Sequence, residues 1–212
     1  MTWIIGRFRI PILMERFQIW AQPWWVNLLL LIPALSYLFW RQDGLLLSRQ
    51  KLLTLALFGA SFGFVEAAVV VYLRTAAGVF GQYTTPQLHS PATYQQAGLS
   101  LAQFPQGLRA IEVLREAATM IMLGSVALLA SAGGKERWGS FLWTFAVWDL
   151  TYYAALWATL RWPSSLKDID VLFLIPVPWV AQIWFPVLVS ALTLLAVIFS
   201  RIEKAACMRD NQ

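Results

Sequence analysis

Apolar positions in this chain come in long runs, not in the alternation of a half-buried strand or the narrow stripe of a soluble amphipathic helix. Roughly 20 consecutive apolar residues are needed for a helix to cross the hydrocarbon core of a bilayer. Five runs reach or approach that length: Trp24–Trp40, Leu52–Leu73, Ala110–Ala132, Ser140–Leu160 and Trp179–Ser200. Basic residues close most of them, with Arg41, Arg74 and Arg201 at C-terminal ends and Lys51 and Arg137 ahead of the following starts. Val171–Pro178 is also apolar, but Pro176 and Pro178 forbid a regular helix there, so it reads as a re-entrant or interfacial segment. Trp3–Gln22 mixes Arg7, Arg9 and Arg16 with large apolar side chains, the pattern of a helix lying in the membrane interface. Thr75–Gly107 is rich in Gly, Gln, Thr and Pro and reads as a loop. The expected fold is all-α: residues 1–212 as a single integral membrane domain, a helical bundle of about five transmembrane helices plus those two accessory segments.

Composition agrees. Of the 212 residues 59% are hydrophobic and 13% charged, with a mean hydropathy of +0.61, whereas a soluble domain carries about 25% charge. The formal net charge of +5 does not argue for a nucleic-acid partner, because the basic residues gather at span ends. The bilayer is the expected partner, together with a membrane-protein partner or a second copy of the chain. Residues 1–20 make a poor signal peptide, since Arg7, Arg9, Glu15 and Arg16 interrupt the apolar run. Cys207 is the sole cysteine and His89 the sole histidine, so neither an intrachain disulfide nor a Cys/His zinc framework can form.

Topology follows from the short loops. Arg41, Arg49 and Lys51 flank one connection, Lys135 and Arg137 another, and the C-terminal tail is also basic. These belong on one side, the cytoplasm, which puts the C-terminus inside and the Thr75–Gly107 and Trp162–Asp170 loops outside. Five spans then begin outside, although the N-terminal arginines oppose that placement.

Ionisable groups within spans are the informative exceptions, because each costs roughly 2.5–3.5 kcal/mol at a helix centre on insertion scales. They are Glu66, then Glu112, Arg115 and Glu116, then Asp149, with Arg74 and Arg109 flanking. At about 1.5 Å rise per residue, Glu66 lies about 21 Å up its span, Glu116 about 9 Å below the outer end of the next, and Asp149 about 14 Å up the third. All three therefore fall at compatible heights, toward the outer half. Facing agrees too. Gly59, Gly63 and Glu66 share a face, and Gly59 and Gly63 form a GxxxG pair that lets a neighbouring helix approach. Glu112, Glu116 and Thr119 share a face with Arg109, and Asp149 shares one with Tyr152 and Tyr153. One cluster between the second, third and fourth spans is expected, with Asp168 and Asp170 at its outer mouth. Val71 is expected off the GxxxG face.

Several roles suit such a cluster. The carboxylates and arginines can pair and lock a bundle, as in an assembly subunit; they can bind a lipid-like or small polar substrate, with or without catalysis; or they can serve a small transporter, although five spans lack paired halves. Carboxylates alone would suit a hard ion such as Mg²⁺ or Mn²⁺, but no motif specifies a metal, a cofactor or a catalytic residue. The many tryptophans near span ends read as interfacial anchors, and Trp148 and Trp157 as packing groups inside the fourth span.

Four segments, Phe62–Arg74 (FGFVEAAVVVYLR), Glu112–Met120 (EVLREAATM), Phe145–Tyr153 (FAVWDLTYY) and Trp162–Trp179 (WPSSLKDIDVLFLIPVPW), together resemble a family of uncharacterised bacterial multi-pass inner-membrane proteins. The resemblance touches the second to fifth spans. It implies a bacterial inner membrane and carries over no activity and no catalytic residue.

Overall fold

The first apolar run enters as a tight turn and not as an α-helix. In the computed structural model, which describes residues 20–76 and 106–210 (without the side chains of 73–76, 106, 108–109 and 202–210), Trp24–Leu30 is a 3-10 helix that continues into α1, Leu31–Arg41. Asn27 holds the entry: its side-chain amide donates to the carbonyls of Ala21 and Trp24, and its oxygen accepts from the Ala21 N–H. Pro33 sits in the first turn of α1, where a missing N–H costs nothing. Gly44, with φ of 68°, ends that helix by donating its N–H to the Trp40 carbonyl. Ser48 then caps α2, Arg49–Ala76, through the Lys51 N–H.

Three more helices follow: α3, Gln106–Ala130; α4, Gly134–Leu160; and α5, Trp184–Asp210. Four stretches, Trp24–Arg41, Arg49–Tyr72, Ala110–Ala130 and Trp184–Arg201, are long and apolar enough to cross a membrane. Helix α4 is not among these four stretches. It is the central element, packed on α2, α3 and α5, so protein covers most of its sides. The outer helices instead present leucines to their surroundings, among them Leu57, Leu114 and Leu129, the last 88% exposed.

Between α4 and α5 the all-α expectation fails. Ile169–Phe173 (β1) and Trp179–Gln182 (β2) form an antiparallel hairpin, with Asp170 opposite Ala181 and Val171 opposite Val180. Pro176 and Pro178 lie in its connection, so they interrupt no ladder bond. The segment read as re-entrant is this hairpin, and the last helix starts at Trp184 instead of Trp179. Gln22 exchanges both backbone hydrogen bonds with Val180, each 2.8 Å, so the end of the supposed interfacial helix is extended. The rest of that segment, residues 1–19, and the loop at 77–105 with His89 lie outside the described residues, as does the Cys207 side chain.

The two ends of the bundle are well separated in kind. Lys135 pairs with Asp43, which brings the two basic connections to one end as the charge pattern required. The hairpin and residues 20–23 make the other. Trp40 and Trp162, expected as interfacial anchors, are instead among the most buried side chains, whereas Trp24 is largely exposed.

Candidate functional site

Close helix contact comes first, because it decides where the acids go. A Cβ at Gly59 would stand 2.8 Å from the Thr144 carbonyl oxygen, and one at Gly63 would stand 2.5 Å from that of Trp148. The glycine face of α2 therefore seats directly on the α4 backbone, as the GxxxG spacing predicts. Glu66, one turn beyond Gly63, is turned into protein and buried. Val71 is not off the packing: it is buried with Tyr153, Leu156 and Trp162. At 28 residues α2 makes seven to eight turns, and its neighbours cover more than one stripe of it.

Helix α3 is held differently. Among the described residues its backbone packs substantially on α4 alone. Side chains connect it to α2: Arg115 pairs with Glu66 and with Glu112, at 2.9 Å in the second case, and the Thr119 hydroxyl donates to the other oxygen of Glu66. Glu116 reaches the hairpin, accepting the Leu174 N–H at 2.8 Å. The expected Glu66, Glu112, Arg115 and Glu116 thus do assemble between the second and third spans.

Asp149 belongs to a second group. It accepts a hydrogen bond of 2.7 Å from Ser190 on α5, not from an arginine on α3. Tyr153 donates to Asp170 of β1 at 3.1 Å, and Tyr152 stacks on Trp148 with centroids 6.3 Å apart. The expected single cluster of α2, α3 and α4 is therefore two hydrogen-bonded groups that also involve α5 and the hairpin. Asp170 is buried on the hairpin beside Tyr153. The Asp168 carboxylate instead binds the N–H groups of Ser164 and Ser165 and shapes the loop. The side chains of Arg74 and Arg109 fall outside the described residues.

Both groups line one cavity of about 480 Å³ enclosed by α1, α3, α4, α5 and the hairpin, with Glu66 and Val70 of α2 at its edge. Most of its wall is aliphatic or aromatic, including Leu29, Ile32, Met120, Phe145 and Trp148. Glu66, Glu112, Glu116, Asp149 and Asp170 are the acidic exceptions, Arg115 the basic one. Three buried polar atoms of the lining have no hydrogen-bond partner among the described residues, the acceptor Glu112 Oε1 and the donors Trp148 Nε1 and Trp179 Nε1. A buried polar atom left unmatched costs about 1–3 kcal/mol, which marks these as places where a ligand or water gains a bond.

Ser190 and Thr193 of α5 also line the cavity and were not singled out by the charge pattern. Their three-residue spacing on one face of an otherwise apolar run was the available signal. Trp157, read with Trp148 as a packing group, is instead half exposed, does not line the cavity and carries Arg161 over its ring at 4.8 Å. Among the described residues no group of three or more His, Cys, Asp or Glu converges to hold a metal ion. Compared with known families, curated proteins and solved structures, the chain matches none.

Proposed function

We propose that this chain is a multi-pass protein of a bacterial inner membrane, with all five helical stretches crossing the bilayer, whose cavity binds a lipid-like or small polar substrate. The observation that carries the reading is the cavity itself. It reaches Glu66 and Asp149 together, and a purely internal lock of paired charges needs no such space. Its volume lies within the roughly 300–1,000 Å³ of small-molecule sites, and a mostly apolar wall with a few placed polar groups is their usual character. The Arg115–Glu66–Glu112 network supports a division of labour in which its paired oxygens hold α3 in place while the groups around Asp149 and the unengaged Glu112 Oε1 face the ligand.

Asp149→Asn tests it. Asn keeps an oxygen able to accept from Ser190, and no cation loses its partner, so the protein is expected to extract and melt like the parent. Any amphiphile that copurifies with the parent in mild detergent, read by native mass spectrometry, is expected to fall about tenfold in occupancy, the loss of one charge-assisted hydrogen bond of about 1.5 kcal/mol. A variant that fails to fold, with a parent that carries nothing, would return Asp149 to a structural role.

For orientation, the basic connections and the C-terminus belong in the cytoplasm and the hairpin outside. In a Cys207→Ser background, Leu166→Cys is expected to react with an impermeant thiol reagent in intact cells, while Gly134→Cys, a position with open space for a side chain, is expected to stay unlabelled. The opposite pattern inverts the topology without moving the site.

A further inference from the structure

We infer that the substrate of this cavity is an amphiphile whose headgroup is a protonated amine; the inference rests on the proposed binding function and names its ligand class. The first ground is charge. The described lining holds five carboxylates against one guanidinium. Arg115 is already engaged by Glu66 and by Glu112 Oε2. Asp149 accepts its hydrogen bond from Ser190, a neutral donor that supplies no opposite charge, and Glu116 accepts one from the Leu174 amide. In an apolar enclosure, where charges interact far more strongly than in water, this wall favours an entering cation and repels an anionic head.

The second ground is the unmatched acceptor. Glu112 is 3% exposed, and its Oε1 lacks a partner among the described residues. An ammonium N–H supplies the missing donor together with a positive charge; an alcohol supplies the donor alone. Third, the rings of Trp148, Tyr152 and Trp179 contribute to the same wall, and aromatic faces attract cations at close range. Trp148 Nε1, 92% buried with its residue and unmatched, is left to meet an oxygen of the same headgroup or a water it carries in. The aliphatic remainder of the wall takes a hydrocarbon chain.

Three probes of one chain length separate these terms: hexadecylamine, hexadecanol and hexadecanoic acid. Each is added at equal mole fraction to the full-length protein in nanodiscs of uncharged lipid, and bound copies are counted by native mass spectrometry. The amine is expected to bind at least about tenfold more tightly than the alcohol, the scale of one close charge pair, with the acid weakest. Glu112→Gln is expected to erase most of that preference and leave the alcohol unchanged. Equal binding of the three heads, or preference for the acid, overturns the amine inference while the binding function stands. Binding of none overturns both. Should Glu112→Gln fail to fold, the headgroup series on the unaltered chain still decides.

Discussion

Arg115→Gln is expected to lower the stability of the detergent-solubilised protein by about 3–5 kcal/mol, the cost of removing one member of a buried charge pair. The guanidinium serves two carboxylates at once. Without it Glu112 is left with neither oxygen matched among the described residues, and Glu66 keeps only Thr119. The same change removes the principal tie between α3 and α2, because backbone packing between them is slight. Thermal unfolding followed by near-ultraviolet circular dichroism measures the loss. Combining Arg115→Gln with Glu66→Gln and Glu112→Gln removes the stranded charges and is expected to recover more than half of it. A single variant that melts with the parent would mean that the network does not hold α3.

Gly63→Leu is expected to be at least as damaging, by a different route. The first carbon of any side chain there would meet the Trp148 carbonyl oxygen at 2.5 Å and the Tyr152 nitrogen at 3.1 Å. Both are backbone atoms of a helix and cannot swing aside, so α2 and α4 must separate along their contact. Overpacking costs about 1–3 kcal/mol where side chains can adjust, and more is expected where they cannot. The yield of monodisperse protein after mild extraction should collapse, while Leu57→Ala, at a position 69% exposed, should leave it unchanged. Equal yields from both variants would show that α2 does not depend on its glycine face.

Much of this was legible before any coordinates. Helix existence followed from run length, because a 20-residue apolar stretch has few other uses. The burial of Glu66 followed from its place one turn beyond two glycines, and the meeting of Glu66 with Arg115 followed from matched heights on antiparallel helices. The hairpin escaped because its strands are short and two prolines sit between them, a signature shared with any irregular segment. Asp149 was expected in one cluster with Glu66 and Glu116; a serine hydroxyl of α5 meets it instead. Trp40 and Trp162 were misjudged because nearness to a span end does not tell which neighbours surround a residue, and Val71 because protein covers more than one face of α2.

The pairing of Gln22 with Val180 also sets a clock. The two residues stand 158 positions apart in the chain. At synthesis rates of about 5–20 residues per second, the strand that pairs with Gln22 emerges roughly 8–30 s after Gln22 does. Throughout that interval the first helix has neither β2 nor α5 to lean on. A segment made late thus fastens one made early, and a chain cut short before Trp179 would leave Gln22 without its partner strand.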